Sequence, residues 1–339
     1  MTGRFPSRRA RGCLVLALLA VLALAVAAAP GAGQAGGADR PSVVLVTFSC
    51  SEGNFICAPF RRAVRRTGVE GRIVSPDIRE DPVGTLSLLA RGGDDLVIAD
   101  QNWFETLATV APRFPDTRFG YYDGPLYFIR GRPRNVLAVN LQVNEAAYLA
   151  GWLAARLERR RPGPDVVGAV GGLSIPPVDE FIAGFQAGAH AAAPGVRVLV
   201  GYSDDFTDAS KCAAIARSQI ARGAGTVFNV AGSCGLGTLR AARRAGIWGI
   251  GVDSDQSFLG PHILTSVVKG YEAGLMVFLR GVRDGTLRTG VTRTLTLRTG
   301  AARLGRISPR VPAALRAELA RVRARIIRGE IEIPAAPTG

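Results

Sequence analysis

The sequence predicts a two-lobed α/β fold, in which each lobe is a parallel sheet flanked by helices and a ligand cleft lies between the lobes. Short apolar runs rich in β-branched residues alternate with longer segments whose apolar residues recur at helical spacing. The alternation occurs in two successive series, separated by the helix-breaking segment Pro162-Gly163-Pro164. A chain of 339 residues is long enough for two domains of ordinary size.

The first series predicts an N-terminal sheet and its helices. Strands are expected over residues 42–48, 71–75, 95–99, 118–122 and 136–139, and helices over 55–67, 85–91 and 102–110. Strands that alternate with helices in this way form a parallel sheet with helices on both faces. Such sheets bind ligands outside the carboxyl ends of their strands, and Asp123 and Asn140 fall just past two of these ends.

The second series predicts a C-terminal sheet. Strands are expected over 166–170, 196–202, 226–230 and 248–252, and helices over 145–161, 177–192, 210–222, 236–245, 270–283 and 314–327. We assign residues 41–142 and 257–290 to the N-terminal lobe. Residues 143–256 and 291–330 are assigned to the C-terminal lobe.

Residues 249–269 end the second series with an acidic strand end and a lysine. An apolar run leads into Asp253 and Asp255, and a second apolar run ends at Lys269. Lysine is rare in this chain, which has only Lys211 and Lys269 beside 40 arginines. An ammonium at this position therefore indicates a need for a compact point charge. Asp255 is interpreted as the cap of the following turn rather than as a ligand contact.

The first 38 residues are predicted to be a secretory signal peptide. Arginines precede a continuous apolar run over 14–29, and small residues follow it up to Ala38. The apolar run is short for a membrane span, which favours cleavage over permanent anchoring, although the sequence leaves both possibilities open. We therefore expect an exported protein.

The cysteines outside the leader are expected to form disulfide bonds, because the chain is predicted to be exported. Cys50 is close in sequence to Cys57, and Cys212 and Cys234 are predicted to lie at the same edge of a sheet, so we expect these two pairings. A zinc site is not expected, because no cysteines have metal-binding spacing and the chain has two histidines, His190 and His262. No cofactor is expected.

The basic composition does not predict a nucleic-acid-binding protein. The formal net charge is +15, but the arginines are spread singly or in short runs over predicted helices. No helix-turn-helix, zinc-finger or RNA-recognition pattern accompanies them. The sequence also lacks a phosphate-binding loop and a nucleophile elbow, so it predicts no catalytic constellation.

Several segments resemble, in their order, those of the basic membrane protein family, the substrate-binding components of nucleoside ABC importers. The segments are EAAYLAG (145–151), VGGLSIP (170–176), FIAGFQAG (181–188), YSDDFTD (202–208), AG (231–232) and GVDSDQ (251–256) with Lys269. The resemblance covers about residues 42–334. It implies a type I periplasmic binding protein fold, whose two lobes are joined by hinge strands and close on the ligand.

The resemblance also implies roles for individual residues. Phe206 would stack on a purine base, Asp253 would accept hydrogen bonds from the ribose, and Lys269 would donate one to the sugar. Gly232 would let the backbone approach the ligand, and Asp123 and Asn140 would make further polar contacts. Asn54 and Phe55 stand where the family carries a polar residue and an aromatic after its first strand. Independently of the resemblance, Glu145 is interpreted as a dipole or hinge partner, because it lies at the start of a predicted helix.

The path of the chain matters for this site. With 257–290 assigned to the N-terminal lobe, Lys269 follows a crossing between lobes and would face Asp253 across the ribose. The predicted function is an extracytoplasmic, monomeric solute receptor that delivers a nucleoside-like ligand to an ABC permease in the membrane.

Three other functions are weighed against this prediction. The first is a sensory binding protein for another small polar solute such as a sugar, and the second is a secreted nucleoside-acting enzyme that uses Asp253 and Asp255. The third is a sugar-responsive repressor, which is disfavoured by the leader and by the lack of a DNA-binding head.

Overall fold

The computed structural model describes residues 40–48, 50, 56–77 and 81–337. Its strands are β1 (Ser42–Val46), β2 (Glu70–Val74), β3 (Leu96–Ala99), β4 (Phe119–Tyr122), β5 (Val136–Leu141), β6 (Val166–Gly171), β7 (Arg197–Tyr202), β8 (Thr226–Val230), β9 (Trp248–Asp253), β10 (Ile263–Lys269), β11 (Val291–Leu295) and β12 (Ala302–Leu304). Its helices are α1 (Cys57–Thr67), α2 (Pro82–Arg91), α3 (Phe104–Val110), α4 (Asn144–Glu158), α5 (Pro176–Ala192), α6 (Ala209–Ala221), α7 (Gly235–Ala245), α8 (Tyr271–Arg283) and α9 (Ala313–Ile327). The predicted leader, 1–38, lies outside the described residues.

The described strands form two sheets, as the sequence predicts. The first has the order β11-β5-β4-β3-β1-β2 and is parallel throughout. The second has the order β12-β10-β9-β8-β6-β7 and is parallel except for β12, which pairs antiparallel with β10. No helix in the described part of the chain is both long enough and apolar enough to cross a membrane.

Strand β1, which lies between β3 and β2, illustrates why these apolar runs become buried strands. Val43, Val44, Leu45 and Val46 are all inaccessible to solvent. Alternate side chains point to opposite faces of a sheet, so Val43 and Leu45 pack into one apolar cluster while Val44 and Val46 pack into another. A parallel strand covered on both faces needs a continuous apolar sequence, and β1 has one.

Helices α4 and α5 pack unusually closely, through glycines in two of the family-like motifs. A Cβ on Gly151 would overlap the carbonyl oxygen of Phe185, and one on Gly184 or Gly188 would overlap a carbonyl oxygen of α4. Each of these glycines therefore permits backbone contact between the helices. Motifs 145–151 and 181–188 thus have a packing role beneath the second sheet.

The predicted lobe boundaries after residue 256 are wrong in two places. Strand β10 pairs with β9 in the second sheet, although residues 257–290 were assigned to the N-terminal lobe. Strand β11 pairs with β5 in the first sheet, although residues 291–330 were assigned to the C-terminal lobe. Both errors have one cause: apolar periodicity identifies a strand but does not say which of two similar sheets it joins. Helix α8 does pack on the first sheet, as assigned.

In the described residues, the chain passes between the sheets at 142–143, at Gly270 and at 296–301. Hydrogen bonds tie these crossings together. The amide of Gly270 donates to the carbonyl of Ala301 at 2.7 Å, and the amide of Leu297 donates to Glu145 Oε2 at 2.5 Å. Glu145 thus contacts a crossing segment, as its hinge interpretation requires. Short linked crossings of this kind are suited to hinge motion.

Candidate functional site

The carboxyl ends of strands from both sheets face a cavity of about 840 Å³. This volume is within the range of small-molecule sites, roughly 300–1,000 Å³. Asp123, Phe206, Gly232, Asp253 and Lys269, all predicted from the sequence, line this single cavity. Asp123 follows β4 in the first sheet, whereas Asp253 and Lys269 end strands of the second sheet. Phe206 and Gly232 lie in loops that follow two other strands of the second sheet.

Lys269 forms an ion pair that joins the two lobes. Its Nζ lies 2.7 Å from Asp123 Oδ2, and each side chain is less than a tenth exposed. The same Nζ lies 5.5 Å from the centre of the Phe181 ring, within cation–π range. The expected position of Lys269 is therefore wrong: β10 adjoins β9, so Lys269 lies beside Asp253 in one sheet and faces Asp123 of the other.

Asp123 and Asp253 share an unusual backbone conformation. Their φ angles are 71° and 63°, in the left-handed region that residues other than glycine seldom adopt. Asp253 is the last residue of β9, and Asp123 directly follows β4. Non-glycine residues in this conformation cluster at functional sites, where the surrounding structure holds them against their strain.

Burial and charge act together on the titration of this site. Burial raises the pKa of Asp253 and the Asp123 charge raises it further, while Lys269 and a hydrogen bond from Tyr271 oppose the rise. Burial alone would lower the pKa of Lys269, but Asp123 and Asp253 raise it above its ordinary value. The lysine is thus held in its charged form by carboxylates from both lobes.

Tyr271 is a site residue that the sequence did not reveal. It begins α8, immediately after the crossing at Gly270, and its hydroxyl donates to Asp253 Oδ1 at 3.4 Å. The hydroxyl of Tyr122 in turn donates to the carbonyl of Tyr271 at 3.0 Å. Proximity to Lys269 in the chain was the only signal. We call Asp123, Asp253, Lys269 and Tyr271 the polar cluster.

The Phe206 ring packs against the backbone of a glycine. A Cβ on Gly172 would overlap the Phe206 ring, so that ring packs directly on the Gly172 backbone. The side chain remains 37% exposed, and it lines the cavity. Gly232 has φ 53° and lies beside the Phe206 carbonyl, which accepts a hydrogen bond from the Cys234 amide at 2.9 Å. Gly232 thus meets the conformational need of this turn.

Further apolar side chains line the same cavity from loops and helix ends. Phe104 and Ile175 are about as exposed as Phe206, at 38% and 37%. Phe128 comes from the short 3₁₀ turn after Asp123. We call Phe104, Phe128, Ile175 and Phe206 the apolar wall. Of these, only Phe206 was predicted from the sequence as a site residue.

Four other residues considered in the sequence analysis are not among the described residues that line the cavity. Asn140 lies within β5 rather than past its end, and it is not among the residues that line the cavity. The strand is two residues longer than predicted, because Asn140 and Leu141 both pair with β11. Asn54 and Phe55 lie outside the described residues. Asp255 has a structural role, because its carboxylate accepts hydrogen bonds from the amides of Ser257 and Arg306.

Asp100 adds a further acid to the cavity. It follows β3, accepts hydrogen bonds from the amide and side chain of Asn102, and is 7% exposed. Burial raises its pKa, against a hydrogen bond from Thr47. Among the described residues, no group of His, Cys, Asp and Glu side chains is arranged to hold a metal ion. The cavity offers carboxylate acceptors, one ammonium donor and exposed aromatic faces.

Cys212 is bonded to Cys234, and Cys50 to Cys57, the pairings expected from the sequence. Cys212 lies in the first turn of α6, and Cys234 directly precedes α7. The Cys212–Cys234 bond therefore joins the segments that follow Phe206 and Gly232. It restrains the part of the second lobe that lines the cavity.

Comparison with known proteins relates this architecture to a family. The model of the family described as ABC transporter substrate-binding protein PnrA-like matches residues 60–336. Basic membrane protein B of Borrelia garinii subsp. bavariensis is 32% identical over 192 residues, which are 55% of this chain. The chain spans about half the length of that relative, 55%.

A second relative and a solved structure extend the comparison. The ABC transporter nucleoside-binding protein BmpA of Lactococcus lactis subsp. cremoris is 28% identical over 221 residues, 59% of this chain and 61% of that protein. A solute-binding protein of an ABC transporter system from Aeropyrum pernix K1 superposes with a TM-score of 0.74 at 22% identity, covering 88% of this chain and 94% of that one. The superposition supports the same two-lobed α/β fold.

Proposed function

The chain belongs to the PnrA-like family of ABC transporter substrate-binding proteins, and on that premise we propose that it captures a nucleoside-like ligand for delivery to an ABC importer. The ligand we propose is a purine nucleoside. The observation that carries this proposal is the union, in one cavity, of the polar cluster and the apolar wall. A nucleoside has the matching character, with a hydroxylated sugar and a flat base.

The polar cluster is suited to the sugar. Asp253 would accept hydrogen bonds from ribose hydroxyls, and Lys269, held charged by the carboxylates around it, would donate one. Charge-assisted hydrogen bonds are about twice as strong as neutral ones. Asp123 would share the hydroxyls while keeping its ion pair with Lys269. Gly232 would leave room for the ligand beside the turn.

The apolar wall is suited to the base. Phe206 presents an exposed ring against the Gly172 backbone, and stacking of a base on an aromatic face contributes about 1–3 kcal/mol. Each lobe contributes to the lining, so a bound ligand would contact both and stabilise their closed arrangement. The importer would then recognise that arrangement.

The proposed location is outside the cytoplasm, at the outer face of the cytoplasmic membrane. The predicted leader and the disulfide bonds support export, because structural disulfides persist in oxidising compartments. We propose binding without chemical conversion. The acids of the cavity are held by hydrogen bonds: Asp123 with Lys269, Asp253 with Tyr271, and Asp100 with Asn102 and Thr47.

Calorimetric titration of the purified protein tests this function. Purine nucleosides should bind in the low micromolar range or tighter, and pyrimidine nucleosides, free bases, ribose and hexoses should bind more weakly. Binding of a hexose without binding of any nucleoside would defeat the proposed ligand. Chromatography of the same mixtures should recover the nucleoside intact, and release of free base would identify an enzyme instead.

A further inference from the structure

A long stretch of the second lobe lacks acidic residues. No Asp or Glu occurs between Asp208 and Asp253, yet this stretch carries one lysine and five arginines. Helices α6 and α7 both lie within it. Both helices lie on the face of the second sheet opposite α4 and α5, because they pack into separate apolar clusters. The positive charge is therefore concentrated on one face of this lobe.

A groove of about 610 Å³ lies between α6 and α7. The helices touch near their N-terminal ends, where a Cβ on Gly237 would overlap the Ala209 carbonyl oxygen and where Cys212 is bonded to Cys234. The groove contains apolar side chains from both helices, including Ile220 and Ala241. It is a surface feature separate from the ligand cavity, and no lining residue is common to the two.

Arginines line both walls of this groove. Arg217 comes from α6, and Arg240 and Arg244 come from α7, where their spacing of four residues places them on one helix face. All three are exposed, and none forms an ion pair with a carboxylate of the described residues. Elsewhere, by contrast, Arg62 and Arg66 both pair with Glu272. The groove thus combines an apolar floor with cationic walls whose arginines have no carboxylate partner within the described residues.

We propose that this groove is a docking site for an acidic amphipathic segment of a partner protein. Apolar side chains of that segment would enter between α6 and α7, and its carboxylates would pair with Arg217, Arg240 and Arg244. Guanidinium groups are weakly hydrated and bind carboxylates in a bidentate manner, so they suit a protein interface. The arginines require a partner segment with negative charge, and the apolar floor requires that the segment also has an apolar face.

The recessed shape favours a protein segment over an anionic membrane. A flat lipid surface would contact the ridges of the helices, where Arg243 is as available as the groove arginines, and would leave the apolar floor empty. A segment with side chains of its own can fill the space between the helices. The inference rests on the groove alone and not on the proposed ligand.

The test uses a synthetic helical peptide with leucines on one face and glutamates on the other, labelled for fluorescence anisotropy at low salt. The purified protein should bind it, and should bind a version with lysine for glutamate, or serine for leucine, at least about tenfold more weakly. The combined variant Arg217→Glu, Arg240→Glu, Arg244→Glu should lose about tenfold or more in affinity for the acidic peptide.

A charge-matched control separates the groove from overall charge. Arg316→Glu, Arg321→Glu, Arg323→Glu reverses three exposed arginines of α9 and should keep affinity within about twofold. Ala221→Trp fills the groove without changing charge and should also weaken binding, so the test remains decisive if the triple variant misfolds. Nucleoside titrations of the same variants report the cavity independently.

Three outcomes would overturn the docking site. Equal losses in the groove variant and the α9 variant would mean general charge attraction. Equal binding of the leucine and serine peptides would mean that the apolar floor takes no part. Binding of phosphatidylglycerol vesicles that needs Arg217, Arg240 and Arg244, without peptide binding, would assign the groove to a membrane surface.

Discussion

The polar cluster and the apolar wall occupy one cavity but are built in opposite ways. Asp123, Asp253 and Lys269 come from the ends of hydrogen-bonded strands, and their charges are satisfied by one another. The apolar wall comes from loops and helix ends, and Phe104, Ile175 and Phe206 each leave over a third of their surface exposed. The charges of the polar cluster are balanced within the protein, whereas the apolar wall leaves surface that a ligand could cover.

This difference implies a division of energetic roles. Removal of one charge from the polar cluster leaves buried groups without their partner and so affects folding as well as binding. Removal of an exposed ring takes away little from the ligand-free protein. Variants of the two regions should therefore separate stability from affinity.

The largest expected effect follows from Lys269→Met. The substitution leaves Asp123 and Asp253 without their buried cation, and breaking a buried ion pair from one side costs about 3–5 kcal/mol. Urea denaturation should show this loss, and calorimetry should show that ligand affinity is lost as well. Lys211→Met is the matched control, since Lys211 is the other lysine of the chain and pairs with Asp205 at the surface. A Lys269→Met protein as stable as the control would contradict the role of the polar cluster.

A smaller effect, confined to affinity, is expected from Phe206→Ala. Loss of stacking should weaken nucleoside binding by about 1–3 kcal/mol, or roughly 5- to 150-fold, while the denaturation midpoint stays near that of the wild type. Phe258→Ala provides the comparison, because Phe258 is 77% exposed and does not line the cavity. Full affinity in the Phe206→Ala protein would remove Phe206 from the site.

The smallest expected effect is a pH dependence of the ligand-free protein. Burial raises the pKa of Asp253, so the folded protein holds this proton more tightly than the unfolded chain does. That contribution to stability is present below the ordinary Asp value of about 3.9 and is lost as pH rises through the folded value. The free energy of unfolding of the wild type should therefore fall with rising pH relative to Asp253→Asn. Parallel curves for the two proteins would show that Asp253 titrates normally.

Most of the fold was predictable because its signals are local. The run 43–46 predicts a doubly covered strand, and the alternation of strands with helices predicts parallel sheets. The assignment of β10 and β11 to sheets was not predictable, since either sheet offers the same kind of apolar edge. Because of this ambiguity, the sequence predicted a crossing between the lobes before Lys269, whereas the structure has that crossing at Gly270.

The site was predictable to the extent that it consists of strand ends. Asp123 and Asp253 follow apolar runs, and Phe206 and Gly232 lie in segments that resemble a known family. Tyr271, Phe104, Phe128 and Ile175 were missed, because an aromatic or aliphatic residue in a helix or loop looks the same in sequence whether it faces the core or a cavity. Asn140 was expected just past the end of β5, but the strand runs two residues further and includes it.

The sequence by itself determined the alternating architecture, the acidic strand ends and the rare lysine, because backbone periodicity and side-chain chemistry are properties of neighbouring residues. Only the tertiary structure decided that Lys269 pairs with Asp123, 146 residues away, and lies beside Asp253 rather than opposite it. It also decided that two acid-free helices lie side by side with an arginine-lined groove between them. Both outcomes depend on which strands and helices become neighbours, and that choice is made by long-range packing.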